Sequence, residues 1–438
     1  MVLDASSFVV NKLGSSNVVR ALIPLASAYA LRSWSAGYVC TEDRNIHNKT
    51  YILVGAFSGP GLALFRALAL RGAQIIALHP DPSSADVLQL ILLLRSSTSN
   101  ERLYAEQCDV RDVASLRNFA KRWEKDGRSG MVQDLEARID GLVFCDGEGL
   151  SMEDTGYGVE QQLVPTSTKD DPLDLYHASL LLSRHALVQL LLPALLRSAT
   201  TSSTPIRIIS QASPFYSTCP SLTLSNLDYA SSSFLSNAPW LAEGQSSLAS
   251  ILLFRELQDR LNDLNLLFVS VCAGFTRAWV YHTMRATWEH PRFSWLGYAL
   301  SWLLWPLIWC FTKSGDAASQ GLLAAVLATT KAGQVPVAQE TMEGEEAAPP
   351  PKPEPEQKVD EDKEKHKITL VGGALYREGR IVRVAALDHT PATLGADLWD
   401  LESERVKVLV ARAEAAEKEE EALKKDTASK NATARSSA

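Results

Sequence analysis

The chain has 438 residues, 46% of them apolar, with 51 acidic against 43 basic side chains and a formal net charge of −8. That apolar content is ordinary for a globular protein, and the length allows one large core with appendages. An acidic balance with no basic stripe interleaved with aromatics excludes a nucleic-acid partner, and the scattered cysteines Cys40, Cys108, Cys145, Cys219, Cys272 and Cys310 lack metal-ligand spacing and point to a reducing compartment.

Met1 to Leu13 lacks the basic start and apolar stretch of a cleavable signal. Val18 to Cys40 is largely apolar but broken by Arg20 and Arg32, and the uncharged stretch between them falls short of the about 20 residues that cross a bilayer. Residues 1–48 therefore read as an amphipathic anchor lying at an interface or as a helix packed on the domain.

From Lys49 short apolar runs alternate with helical spacing. Strands are expected at Tyr51–Val54, Gln74–Leu78, Leu103–Gln107, Ile139–Phe144, Ile206–Ser210 and Leu266–Val271. Helices are expected at Gly61–Arg71, Asp86–Arg95, Val113–Glu124, Leu175–Leu196 and Ser246–Leu261. Fully apolar strands separated by helices imply a parallel sheet covered on both faces, and right-handed crossovers make it a Rossmann-type doubly wound α/β fold, one domain over residues 49–339. Glu340 to Lys365 carries ten acidic residues and four lysines among prolines. Residues 340–367 therefore read as a disordered acidic, proline-rich insert. Ile368–Val371 and Ile381–Val384 read as short strands around a turn, in a segment 368–400 that completes the domain. Leu398–Leu423 reads as a charged helix running into the segment 401–438, with a loose tail beyond Lys424.

Two segments carry chemistry. Gly55-Ala56-Phe57-Ser58-Gly59-Pro60-Gly61 follows a strand and opens a helix. Gly55 allows a tight turn, Gly59 and Gly61 permit close backbone approach, and Pro60 suits the first helical turn. The helix N-terminus then favours an anion, with Ser58 beside it. The second segment is Glu243-Gly244-Gln245-Ser246-Ser247-Leu248-Ala249-Ser250.

The loop and this block resemble those of the short-chain dehydrogenases, in a divergent fungal branch similar to retinol dehydrogenases. The resemblance implies NADP or NAD as cofactor, held by Gly55, Ser58, Gly59 and Gly61. It sets His79 at the 2′-phosphate position, Asp109 at the adenine pocket and Gly147 in the loop after the fourth strand. It also implies a catalytic tetrad. Ser213 falls on its serine, Glu243 replaces the tyrosine, Ser247 the lysine and Leu180 the asparagine. The threonine that follows the sixth strand in this family falls on Ala278. An ionised Glu243 would oppose a developing oxyanion, whereas a buried Glu243 with a raised pKa could donate a proton. Tyr229, which precedes the block with Ser233 four residues on, is the other candidate acid. The resemblance thus leaves two readings: a catalytically impaired member serving as sensor or scaffold, and an active oxidoreductase on a lipophilic alcohol or carbonyl.

Six of the ten tryptophans lie between Trp279 and Trp309, and Phe293 to Phe311 carries no charge. This span sits where the family places its substrate lid, about residues 275–312. Tryptophans favour the headgroup layer, so an apolar, lipid-like small molecule and a membrane surface are the expected partners. The expected place is the cytoplasmic face of an intracellular membrane (endoplasmic reticulum or lipid droplet), otherwise the cytoplasm. The alternative is a lid folded onto the domain or onto a second copy in a homodimer.

Overall fold

The computed structural model describes residues 15–126, 138–145, 177–219, 221–222, 224, 227, 239–285, 295–330, 368–388 and 390–436. Its centre is an eight-stranded sheet. In chain order the first six strands are β1 (Thr50–Val54), β2 (Gln74–His79), β3 (Leu103–Gln107), β4 (Gly141–Phe144), β5 (Ile206–Ala212) and β6 (Leu266–Cys272). After a short separate pair, β7 (Thr329–Thr330) with β8 (Thr369–Leu370), come β9 (Leu375–Arg377) and β10 (Arg380–Val382). The spatial order is β10-β9-β6-β5-β4-β1-β2-β3, parallel throughout except for the terminal β9–β10 hairpin. This is the doubly wound topology, with the order reversing between β1 and β4, where open α/β sheets bind ligands.

The strands are apolar because both faces are covered. One face packs α2 (Gly59–Ala69), α3 (Ala85–Thr98) and α10 (Gly315–Leu327), with Phe65, Leu68, Leu322 and Val326 in its core. The other packs α4 (Val113–Asp126), α5 (Ser183–Thr201) and α6 (Pro239–Arg260), with Phe119, Leu187, Phe254 and Phe268 in its core. The π-helical turn Ala178–Leu182 leads into α5. Ala178–Thr201 is the one helix among the described residues long and apolar enough to cross a membrane, but 67% of its apolar window is buried. It is the core helix of this face. Arg207 of β5 reaches through the opposite core to the end of α10, donating to the carbonyls of Ala325 (2.9 Å), Val326 and Ala328. Burial pushes this guanidinium down to about 9, and the three carbonyls it caps are the unpaired acceptors that every helix end leaves.

Three expectations are corrected at the C-terminus. Ile368–Val371 and Ile381–Val384 do not pair with each other. The first contributes β8 of the small sheet, and the second contributes β10, whose partner is β9. β9 went unread because Leu-Tyr-Arg is too short to show a period. The last helix, α12 (Leu394–Ser436, after the short α11 at Ala385–Asp388), starts earlier than Leu398 and continues through the expected loose tail. Its alanine, glutamate and lysine content favours helix without packing. Its first turns are not a solvated face. Leu398, Glu402, Val406 and Leu409 are buried against the domain, and Arg117 of α4 pairs with Glu414 and Glu417. The acidic insert lies outside the described residues.

Candidate functional site

The glycine loop is shaped by positive φ at Gly55 and Gly59 and by close packing at Gly61. Gly55 and Gly59 adopt φ of +70° and +48°, and Ser58 is the extended N-cap of α2. A Cβ on Gly61 would lie 2.0 Å from the carbonyl oxygen of Gly55, and one on Gly315 would lie 3.0 Å from that of Gly59. The start of α10 therefore closes over the loop. The N–H of Cys145 donates to Val54 O at 3.0 Å, tying the end of β4 to β1 beside it. Backbone without side chains, at positive φ and ahead of a helix N-terminus, fits the pyrophosphate of a dinucleotide.

The adenosine side fits less directly. His79, expected at the 2′-phosphate position, ends β2 with its ring edge-on to Phe57, and its Nδ1 accepts the Asp81 backbone N–H at 3.1 Å. The Asp109 carboxylate accepts the backbone N–H of Arg111 at 3.0 Å and its Nε at 3.3 Å. Both side chains are engaged within their own loops. Gly147 lies outside the described residues, as does Tyr229.

The tetrad positions fall at the end of β5 and on α6. Ser213 N–H donates to Ser247 Oγ at 3.0 Å, while Ser213 Oγ accepts the Phe215 N–H at 3.4 Å and caps the 3-10 turn Pro214–Thr218. Both serines are buried, and Glu243 is half-buried one turn earlier on α6. Leu180 is buried in the π-helical turn ahead of α5. The structure thus joins Ser213 to Ser247 and sets a leucine where the family's resemblance places an amide. Gly244 has a packing role of its own. A Cβ there would meet Phe215 O at 2.4 Å, so α6 crosses the Pro214–Thr218 turn only with glycine at this point. Gln245 and Ser246 are buried in the same contact. The retained part of the block is its packing part. At Ala278, the second residue of α7 (Arg277–Arg285), no hydroxyl is available, and Thr276 Oγ1 instead accepts the Trp279 N–H at 3.2 Å to cap that helix.

Two basic residues escape sequence reasoning. Arg184 is buried beneath Ser213, donating to Ser210 Oγ at 2.6 Å, to Gln211 O at 2.8 Å and to Ser250 Oγ at 3.2 Å. A lone arginine in the apolar run Leu180–Leu196, four residues after Leu180 and so on the same face, was the available signal. Lys313 sits after the lid, paired with Glu378 of the β9–β10 turn and adjacent to Gly274. The contact spans 65 residues, and no local pattern announces it. Above the site Phe215, Phe275 and Trp279 form an aromatic trio with centroids 5.1–5.9 Å apart.

The lid comprises α8 (Trp295–Leu303) and α9 (Trp305–Phe311), and α1 (Ser15–Ala36) packs on α9. Arg32 of α1 donates to the carbonyls of Trp309 (3.3 Å) and Thr312 (2.6 Å) and lies over the Trp309 ring. It caps the C-terminus of the lid helix, where a cation also meets the helix dipole favourably. The joint outer surface is apolar. Trp34, Trp295, Leu296, Trp302 and Leu303 are each 74–81% exposed, with Leu22, Ile23, Trp305 and Leu307 beside them. Single exposed apolar residues are normal, but a contiguous patch of this kind marks an interaction surface.

No protein-family model matches the chain. An uncharacterised oxidoreductase of Schizosaccharomyces pombe is 24% identical over 55% of this chain and 59% of its own length. One of Saccharomyces cerevisiae is 26% identical over 68% and 72%, and retinol dehydrogenase 13 of Mus musculus is 26% identical over 66% and 75%. The fission-yeast match thus spans less than two thirds of that protein. Fold and glycine loop define a dinucleotide-binding type of α/β protein. Within that class the chain is similar in sequence to uncharacterised fungal oxidoreductases and to retinol dehydrogenases.

Proposed function

We propose that this protein works at a membrane surface as a short-chain dehydrogenase-fold binder of NAD(P), with the family's proton relay lost, in a sensor or scaffold role. The observation that carries the reading is the bond from Ser213 N–H to Ser247 Oγ. The position from which a lysine would lower a phenol's pKa and hold the cofactor ribose carries a short hydroxyl turned onto backbone. Gly55, Ser58, Gly59 and Gly61 would hold the pyrophosphate, and the nicotinamide, when bound, would supply hydride chemistry. The residues around it supply two serine hydroxyls and a half-buried carboxyl, with no phenol–ammonium pair among the described residues.

The exposed apolar face of α1 and the lid supports placement on a bilayer, and we assign the cytoplasmic face of an intracellular membrane from the scattered free cysteines. Titrating the full chain with NADPH and with NADH, followed by tryptophan fluorescence, tests the reading. Saturable binding without turnover of retinoid or aliphatic aldehydes is expected. Turnover at rates ordinary for the family would overturn it, and would favour the second reading, in which Glu243 or Tyr229 serves as the acid.

A further inference from the structure

A cavity of about 980 Å³ lies at the β6–β9 end of the sheet, its Phe275 wall packed on Phe215, two residues from Ser213. That is the size of pocket that takes a lipid or drug-sized molecule. Its walls come from three distant parts of the chain. Trp34 and Ser35 lie in the last turn of α1, and Gly37 and Tyr38 follow it. Gly274, Phe275, Phe311 and Lys313 flank the lid. Tyr376 to Ile381 are the β9–β10 hairpin, with Ile368 and Thr369 behind it.

The polarity of this cavity is graded. Toward the exposed face its walls are Trp34, Phe311 and Ile381, all more than half exposed and continuous with the apolar surface of α1 and the lid. Lys313, paired with Glu378, lies deeper, and the exposed Arg377 and Arg380 add two further cations to the lining. Three cations against one carboxylate favour an anion, and the aromatic and aliphatic walls favour a chain.

The carboxylate is held in place at a conformational cost. Glu378 and Gly379 form the two-residue hairpin turn with φ of +53° and +71°. Glycine or asparagine ordinarily takes the first of these positions, and a glutamate there is rare. Glu378 is fixed by Lys313 and by the Tyr38 N–H, which donates to it at 2.6 Å. Gly37 is a glycine for the same reason, since a Cβ there would overlap the Glu378 carboxylate. Residues in unfavourable backbone regions that their surroundings over-determine are characteristic of ligand clamps. The fixed Glu378 also orders Lys313 in the cavity, and among the described residues no carboxylate pairs with Arg380 or with Arg377, whose side chain bonds Tyr216.

We infer that this cavity binds a single-chain lipid with an anionic head, the chain lying along Trp34, Phe311 and Ile381 and the head among Lys313, Arg377 and Arg380. The ligand reaches it from the bilayer side. That route rests on the membrane-surface reading above, while the site itself stands on the cavity.

The test is calorimetric titration of the full-length protein with oleate, oleyl alcohol and inorganic phosphate. Oleate is expected to bind at one equivalent, at least tenfold tighter than oleyl alcohol, with phosphate weaker still. Arg380→Glu and Ile381→Glu alter exposed side chains and are expected each to weaken oleate at least tenfold at unchanged melting temperature. Ser35→Trp, which fills the cavity from a different wall, is expected to do the same. Oleate and oleyl alcohol binding equally, phosphate binding as well as oleate, or oleate binding untouched by all three variants would each overturn the assignment. Trp302→Glu with Leu303→Glu separates the two readings. It is expected to abolish vesicle binding and leave oleate binding in solution intact, so either reading can fail alone.

Discussion

The backbone N–H of Ser213 is bonded to the side chain of Ser247, 34 residues away, at 3.0 Å. Restoring the family's chemistry therefore means breaking a contact that now joins β5 to α6. The double change Glu243→Tyr, Ser247→Lys is expected to raise aldehyde reduction with NADPH by about 10²–10⁴, the worth of a positioned acid. Each single change is expected to do little, because phenol and ammonium act together. Ser247→Lys should also lower stability by about 1–3 kcal/mol, since it leaves a buried N–H without its acceptor. Steady-state rates and thermal melts of the three variants check this. A natural protein already as fast as the double variant would sink the argument.

The sheet was legible because buried parallel strands carry unbroken apolar runs, as in Tyr51–Val54 and Leu266–Val269. The glycine loop was legible because strand, loop and helix agree locally. What escaped depends on contacts distant in the chain. Glu402 reads as one charge in a charged helix, yet it is fully buried against His177. Lys313 reads as a residue after the lid, yet it meets Glu378 across the domain. Gly244 reads as part of a catalytic block, and only the approach of Phe215 O reveals its packing role.

The glycine loop gives a test that separates packing from ligand binding. A methyl group on Gly61 would sit 2.0 Å from Gly55 O, which cannot yield without moving β1. Gly61→Ala is expected to cost about 1–3 kcal/mol, as overpacking does, in urea unfolding without any nucleotide. If the variant keeps full stability and loses only NADPH binding, the loop's geometry serves the ligand alone and the packing account fails.

Acid should loosen the seam between α5 and α12. Burial pushes the His185 imidazole down to about 4, and its Nε2 lies 3.0 Å from Ser403 Oγ on α12. A histidine with a lowered folded pKa is neutral in the folded state and protonated in the unfolded chain between about 4 and its ordinary 6.5. Its contribution is complete above 6.5 and is lost as pH falls toward 4, amounting to about 3 kcal/mol at most. Burial alone would raise the Glu402 carboxyl, but His177 and Arg405 outweigh it and hold the group below its ordinary value. That carboxylate's stabilisation is present above its unfolded value and disappears as pH drops through the folded one. Urea unfolding from pH 7 to 4 should therefore show a steeper decline for the natural protein than for His185→Gln. Parallel profiles would rule out the histidine's role.

The last expectation concerns the coupling of α1 to the lid. Arg32 makes charge-assisted bonds to Trp309 O and Thr312 O and stacks on the Trp309 ring, so α1 and α9 present their apolar residues as one surface. Arg32→Met keeps much of the apolar stem and removes the donors. Bonds to charged groups are worth about 1.5–3 kcal/mol, so amide exchange across Ile308–Thr312 is expected to quicken by roughly tenfold or more. Vesicle binding should weaken with it, because two loosely joined helices lose more freedom on docking than one fixed face. Trp302→Glu with Leu303→Glu should act oppositely, abolishing vesicle binding while exchange across Ile308–Thr312 stays as it was. Hydrogen exchange by mass spectrometry and vesicle flotation on the same three proteins decide the matter. Unchanged exchange in Arg32→Met would show that the lid holds its shape without α1.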